Sequence, residues 1–222
     1  PEALQNFIKS QQYFEQLSAA NSEIDQARIK NGLARSYASA GVVYSEENNY
    51  SKALENYFKA LNIYQETQQK GNISKAYNNI AIVYKSQNHP DQALTYLQKA
   101  LQIQQETGEQ STAVTLTNIG VIYFEKGDDA KAFEYYNKAK KFFALIDNKR
   151  GFALLQNYFG DYYSKQKKYD SAIRYYNESL QLYAEMDNTF GISLVNYSLA
   201  ELYVAQKKYP EALASAEKSL AL

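Results

Sequence analysis

The chain has 222 residues, and its 24 lysines and arginines balance 24 aspartates and glutamates to a formal net charge of zero. That balance excludes the basic stripe on which nucleic-acid binding depends. The lack of cysteine excludes disulfides, thiolate metal sites and a cysteine nucleophile. No apolar run approaches the roughly 18 residues of a membrane span, so a soluble protein is expected, with cytoplasmic and periplasmic locations both open.

A repeat runs through the chain: five times a small residue is followed three positions later by tyrosine and twelve positions later by alanine. The small residues are Gly41, Ala81, Gly120, Gly160 and Ala200, the tyrosines are Tyr44, Tyr84, Tyr123, Tyr163 and Tyr203, and the alanines are Ala53, Ala93, Ala132, Ala172 and Ala212. The small residues lie 39 or 40 positions apart. A fixed period of this size indicates stacked structural repeats rather than one globular core.

In chain order, the first predicted element is a single helix over residues 2–19, because Pro1–Leu4 matches the start of a second helix at Pro210–Leu213. Five helix pairs are predicted to follow, at about 22–68, 70–107, 109–147, 149–187 and 189–222. Together they predict one continuous array over residues 1–222. Because the chain begins at Pro1 without an initiator methionine, we also expect it to be part of a longer protein.

Each unit has its own packing and turn signals. The small residues let the two helices of a pair approach closely, and the tyrosines are predicted to fill the space between neighbouring units. A glycine or serine nine or ten positions before the small residue indicates a helix start or a close contact with the preceding unit. The residue seven after the small position is Asn48, Asn88, Gly127, Lys167 or Lys207. Asparagine and glycine suit the left-handed turn that ends a helix, and the lysines are weaker signals.

This pattern resembles the tetratricopeptide repeat family, whose usual period is about 34 residues. The period of 40 is similar to the longer-helix variant found in kinesin light chains, peptide-sensing bacterial regulators and the sensory regions of bacterial histidine kinases. The segments Asp147–Ala153 and Asp187–Ser193 look most like the last group. The resemblance implies an all-α, right-handed solenoid of antiparallel helix pairs, in which first helices line a concave groove that holds a peptide or a helix.

The same resemblance implies which side chains a partner would touch. The groove positions lie on the first helices, close to each small residue, and combine asparagine and tyrosine with apolar side chains. The predicted peptide-binding residues are Lys75, Asn78, Asn79, Ile82, Asn118, Val121, Phe124, Asn157, Tyr158 and Tyr197. Asp161 and Glu201 add charge along the groove edges. Asparagine can both donate to and accept from a peptide backbone, although it can equally tie neighbouring helices together.

Catalysis has little support in the sequence. The single histidine, His89, lies in a turn beside Pro90, and no metal cluster or phosphate-binding glycine loop accompanies it. No cofactor, metal, nucleic acid or direct membrane contact is therefore expected, and open ends of the array would allow self-association. We predict a protein- or peptide-binding module that serves as the sensory or regulatory region of a bacterial signalling protein. A stand-alone scaffold or cargo adaptor is the alternative.

Overall fold

Helices and short turns make up the structure, a computed structural model that describes residues 2–19, 23–108 and 111–220. Within these ranges the chain forms eleven helices and no strand, which confirms the predicted all-α fold. The chain divides into two compact units, with the boundary in the sequence between Ser111 and Thr112. No helix of the described ranges is both long and apolar enough to cross a bilayer.

The first unit holds five helices in a row, each packed on the next. They are α1 (Glu2–Ala19), α2 (Glu23–Glu46), α3 (Tyr50–Glu66), α4 (Lys70–Ser86) and α5 (Pro90–Thr107). Three-residue links join α2 to α3, α3 to α4, and α4 to α5, so neighbouring helices run antiparallel. Its core contains Ala34, Tyr57, Leu61, Ala76 and Ile80, all buried.

The second unit repeats the arrangement as three hairpins. Its helices are α6 (Thr112–Glu125), α7 (Asp129–Phe143), α8 (Lys149–Lys165), α9 (Tyr169–Ala184), α10 (Thr189–Ala205) and α11 (Tyr209–Leu220). The tightest pairs are α6 with α7, α8 with α9, and α10 with α11, and successive hairpins also contact each other. Helix pairs are thus present in each unit, while the predicted repeat bounds and one continuous array over residues 1–222 stay predictions.

Small residues at fixed positions let the two helices of a hairpin meet. The repeated alanines of the second helices are fully buried at Ala53, Ala93, Ala132 and Ala172. Opposite them, Gly41 and Gly120 lie directly against the rings of Tyr57 and Tyr136. A β-carbon added at Gly41 would come within 2.7 Å of its tyrosine ring, so the glycine creates the space that the ring occupies.

The repeated tyrosines stack on aromatic residues of their own hairpin. The stacked pairs are Tyr84 with Tyr96, Tyr123 with Tyr135, and Tyr163 with Tyr175, with ring centroids 5.3–5.6 Å apart. Tyr163 also meets Phe133 of the preceding hairpin edge-on, at 6.4 Å. The predicted role between neighbouring units is thus incomplete, because the rings of Tyr84, Tyr123 and Tyr163 also join the two helices of one pair.

The upstream glycines combine both roles predicted for them. Asn148 and Asn188 cap α8 and α10 by accepting hydrogen bonds from the backbone N–H groups of Gly151 and Gly191, at 2.9 and 2.8 Å. Gly151 also lies against the ring of Phe143, at the end of the preceding helix, where a β-carbon would approach to 2.7 Å. Each glycine therefore marks a helix start and a close inter-hairpin contact.

Left-handed residues end the first helices at all five predicted positions. Asn48, Asn88, Gly127, Lys167 and Lys207 have φ between 57° and 80°. The two lysines adopt this conformation although an L side chain there costs about 1–2 kcal/mol. Packing of the flanking helices therefore determines the turn, and the local preference of the residue does not.

Replacing Lys167 with glycine is expected to raise the free energy of unfolding by about 0.5–1 kcal/mol, because relief of left-handed strain exceeds the entropy lost by glycine on folding. The reverse change at the matching position, Gly127→Lys, is expected to destabilise by a similar amount. Nothing lies within 4 Å of a β-carbon at Gly127, so its effect would be purely conformational. Urea unfolding measures both, and equal signs for the two variants would contradict the explanation.

Candidate functional site

The first helices of the hairpins form the inner layer of each unit. In the second unit α6 contacts α8, and α8 contacts α10; in the first unit α2 contacts α4. Among the described residues, no contact of comparable extent joins α7 to α9 or α9 to α11. Every predicted site residue lies on an inner helix: Lys75, Asn78, Asn79 and Ile82 on α4, Asn118, Val121 and Phe124 on α6, Asn157 and Tyr158 on α8, and Tyr197 on α10.

On α4, the predicted site residues differ in how free they are to bind. Lys75 is exposed and Ile82 is 46% exposed, so both offer surface to a partner. Asn78 donates from Nδ2 to the Ser74 carbonyl, 3.1 Å away on its own helix. The half-buried amide of Asn79 has no hydrogen-bond partner in the part of the chain that the structure describes. Asn79 therefore has the freer amide.

On α6, the three predicted residues also differ in what they can offer a partner. The half-buried Asn118 side chain has no hydrogen-bond partner among residues 2–19, 23–108 and 111–220. Phe124 is half-buried, and the Lys165 Nζ lies 4.7 Å from its ring centroid. Val121 is only 6% exposed, so it can shape this surface but offers a partner little contact area.

A cavity of about 520 Å³ lies in the second unit, between the inner helices. Its lining comprises Phe124, Asn157, Tyr158, Asp161, Ser164, Lys165, Tyr176, Leu194, Tyr197, Ser198, Glu201 and Leu202. The structure thus brings together four of the predicted site residues, Phe124, Asn157, Tyr158 and Tyr197. Aromatic and aliphatic walls with a few convergent polar groups are typical of ligand-binding cavities.

The Asn157 side chain is a deeply buried polar group of this lining. It is 2% exposed, and its Oδ1 has no hydrogen-bond partner among the described residues. A buried acceptor without a partner costs about 1–3 kcal/mol. Next to it, the Tyr158 ring stacks on Tyr136 at 6.1 Å. Burial raises the pKa of Tyr158 to about 12, so its hydroxyl stays neutral and can donate or accept.

Two carboxylates face the same cavity. Asp161 accepts a hydrogen bond from the Tyr176 hydroxyl at 2.7 Å and is also hydrogen-bonded by Ser198. Glu201 accepts from the Tyr197 hydroxyl at 2.9 Å. Burial, assisted by the charge of Glu201, raises the pKa of Asp161 to about 6, against the opposing effect of its two hydrogen bonds.

The one lysine of the lining is already engaged. The Lys165 Nζ lies 2.6 Å from Asp129 Oδ1, and Gln166 donates to the other oxygen of that carboxylate at 2.9 Å. The pair links the end of α8 to the start of α7.

A second cavity of about 260 Å³ adjoins the first, and the two share Leu194. Its apolar walls include Val114, Leu154 and Phe190, of which Phe190 is 73% exposed. Arg150 stands at its edge. The inner surface of the second unit therefore offers two neighbouring pockets of different character, one with two carboxylates and one mostly apolar.

Asp161 and Glu201 matter more in the structure than the sequence suggested. Both occupy the position directly after the small residue, where the first three repeats carry Val42, Ile82 and Val121. This change from aliphatic to acidic was the available signal. The sequence predicted only edge charges, since it could not show that the side chains of neighbouring helices enclose Asp161.

Comparison with known families identifies the repeat. A family model described as tetratricopeptide repeat matches residues 72–143 and 151–222, and a second model with the same description matches residues 34–67. These matches cover more than half of the chain. No curated protein sequence matches it.

Solved structures of low sequence identity share the fold. BtubC (BKLC) from P. vanneervenii is 19% identical with a TM-score of 0.77, covering 99% of this chain and 89% of its own. The apo form of RapI is 16% identical with a TM-score of 0.72, covering 99% and 82%. The Rap conjugation gene regulator of plasmid pLS20, in complex with the Phr* peptide, is 15% identical with a TM-score of 0.70, covering 98% and 69%.

Proposed function

Because this chain belongs to the tetratricopeptide repeat family, we propose that it binds a protein or peptide segment along its inner helices. Tetratricopeptide repeats are protein-interaction modules, which makes this stretch of chain a binding module rather than an enzyme. Each unit offers its own binding surface, on α4 in the first unit and on α6, α8 and α10 in the second.

The observation that carries the proposal is the set of inner-helix amides without internal partners. Asn79 and Asn118 are half-buried and Asn157 is buried, yet the structure gives none of these three side chains a hydrogen bond within its described part. A peptide backbone supplies both donors and acceptors for such groups. Each bond contributes only about 0.5–1.5 kcal/mol, so binding requires several together with burial of apolar side chains.

The paired cavities of the second unit favour an extended peptide. Alternate side chains of an extended chain point the same way at intervals of about 7 Å, which suits two adjoining pockets. The larger pocket would take a polar or charged side chain and the smaller one an apolar side chain. The exposed Ile82 and Val114 provide further apolar contact area on inner helices.

A regulatory role in a bacterial signalling protein is the context that we propose for this binding. The segments 147–153 and 187–193 resemble those of histidine-kinase sensory regions, and one structural relative is a gene regulator in complex with a peptide. The alternative is a scaffold or cargo adaptor. Sequencing the full gene and its neighbours separates the two, because an adjoining kinase or coiled coil supports regulation and a free-standing array supports a scaffold.

Removing Asn79 and Asn118 together, as Asn79→Ala with Asn118→Ala, is expected to weaken peptide binding at least tenfold while leaving helicity intact. The variant removes one amide from the surface of each unit, and loss of a single hydrogen bond of up to about 1.5 kcal/mol accounts for an effect of this size. The probe is a fluorescein-labelled peptide selected from a displayed random library on the wild-type chain. Fluorescence anisotropy gives its Kd, and far-UV circular dichroism checks the fold.

The matched control replaces two exposed asparagines of outer helices, as Asn62→Ala on α3 with Asn177→Ala on α9. It removes the same chemical groups from positions outside the proposed surface. Its affinity is expected to stay within twofold of the wild type. Equal losses for the two double variants, or no loss for the inner pair, would refute the assignment of binding to the inner helices.

A further inference from the structure

We propose that the larger cavity of the second unit holds an arginine side chain of the bound peptide, an inference that rests on the function proposed above. The cavity presents acceptors at several points of its wall. Asp161 and Glu201 contribute carboxylates, and the Asn157 side chain belongs to the same lining. A guanidinium group has five donors in one plane and no acceptor, so its chemistry complements this set.

Asn157 provides a second line of evidence for a ligand, and this evidence does not depend on the two acidic residues. Asn157 is only 2% exposed, it lines the cavity, and its Oδ1 is unpartnered among the described residues. Helix packing has thus placed an acceptor where the fold itself supplies no donor. A ligand N–H that reached this oxygen would recover the unmet hydrogen bond.

The two carboxylates also retain acceptor capacity. An ionised carboxylate has about four lone-pair sites, and Asp161 uses only two of them, with Tyr176 and Ser198. Glu201 accepts from Tyr197 alone in the part of the chain that is described. Charge-assisted hydrogen bonds from a cation to these oxygens are stronger than bonds to a neutral group.

No internal cation neutralises this pair. Within the described residues neither Asp161 nor Glu201 forms an ion pair, and the nearby Lys165 is held by Asp129 at 2.6 Å. The cavity therefore carries uncompensated negative charge in a partly desolvated setting. Such a site attracts a ligand cation and repels an acidic side chain.

The remaining walls favour arginine over lysine. Phe124, Tyr158 and Tyr197 supply aromatic surface on which a planar guanidinium can stack. Leu194 and Leu202 supply aliphatic surface for the methylene stem. A lysine ammonium would act on the carboxylates as a point charge, and it lacks the planar fork of donors with which arginine binds a carboxylate at two points.

The test selects binders from a displayed random nonapeptide library on the whole purified chain. Peptides enriched on the wild type are expected to carry arginine at one fixed position far more often than the starting library. The best peptide is then synthesised with arginine and with citrulline, which has nearly the same shape but no charge. Citrulline is expected to weaken binding at least tenfold.

Two charge-matched variants of the chain locate the effect. The site variant is Asp161→Asn with Glu201→Gln, and the control is Glu211→Gln with Glu217→Gln, which removes two exposed carboxylates of α11. On the site variant, arginine and citrulline peptides are expected to bind within twofold of each other. On the control, the tenfold difference should persist. The single variant Asp161→Asn provides a second site probe if the double variant does not fold.

The outcomes separate the two proposals. If the wild-type chain enriches no peptide at all, the binding function itself is overturned. If it enriches peptides without a fixed arginine, the binding function stands and the arginine site is wrong. If citrulline causes the same loss on wild type and on every folded site variant, arginine is recognised elsewhere, which also overturns the assignment to Asp161 and Glu201.

Discussion

Replacing Gly120 with alanine is expected to lower the free energy of unfolding by about 1–3 kcal/mol, although alanine is the better helix former. The cause is a clash, because the new β-carbon would lie 2.6 Å from the Tyr136 ring. That ring is fully buried and cannot move aside, since it stacks on Tyr158 and meets Phe159 edge-on at 5.6 Å. Urea unfolding followed by far-UV circular dichroism measures the change.

A double-mutant cycle tests this cause directly. In the α4–α5 hairpin the same two positions hold Ala81 and Leu97, so alanine with leucine is compatible with this geometry. In a Tyr136→Leu background, Gly120→Ala is therefore expected to be neutral or to stabilise by up to about 1 kcal/mol. The coupling energy should reach about 1–3 kcal/mol. Equal losses in both backgrounds would show that the ring is not responsible.

The pairing of glycine with tyrosine is present in the sequence, although the repeat pattern alone did not predict it. Sixteen positions after each small residue the chain has tyrosine wherever that residue is glycine, at Tyr57, Tyr136 and Tyr176. After Ala81 it has leucine, and after Ala200 it has alanine. The register predicted that these helices approach closely because only small residues recur there. Which side chain fills the space depends on both members of the pair.

The site was less predictable than the fold, because a repeat fixes the face on which a residue lies but not how its neighbours cover it. Ile82 and Val121 share one register position, yet Ile82 is 46% exposed and Val121 only 6%. Asn157 and Asn78 also share a position, and only Asn157 is buried. The helix on which a residue lies, and the face of that helix, could be predicted. Enclosure of its side chain could not, because it depends on contacts between hairpins that vary from repeat to repeat.

Asp161→Asn is expected to raise the free energy of unfolding at pH 7.5. The pKa shift sets an upper limit of about 2–3 kcal/mol. The expected gain is about 1–2 kcal/mol, because Tyr176 and Ser198 form weaker hydrogen bonds with the neutral amide than with the carboxylate. The pKa of Asp161 is about 6 in the folded chain and about 3.9 when unfolded. The folded state therefore binds the proton more tightly. The stability that this group contributes is present below pH 3.9 and is lost as the pH rises to about 6.

The titratable groups packed around Asp161 include three tyrosines, one lysine and one further carboxylate. They are Tyr158 and Lys165 on its own helix, Tyr136 on α7, Tyr176 on α9 and Glu201 on α10. Burial raises the pKa values of the tyrosines, so they stay neutral throughout. Glu201→Gln should consequently stabilise the fold at pH 7.5 as well, by removing a like charge, but by less than Asp161→Asn, because burial of Asp161 is the larger cause of its shift.

Urea unfolding at pH 4 and at pH 7.5 checks the prediction, with the exposed Glu211→Gln as control. The stabilisation by Asp161→Asn should be present at pH 7.5 and nearly absent at pH 4, where the native carboxyl is already protonated. A stabilisation that is the same at both pH values would show that ionisation of Asp161 is not its cause.

A carboxylate that destabilises the free protein at neutral pH makes physical sense in a cavity that receives a cation. Binding of the cation then offsets the cost of burying the carboxylate during folding. The same substitution should thus strengthen the fold and weaken binding of the arginine peptide, and these opposite signs distinguish a recognition residue from a structural one.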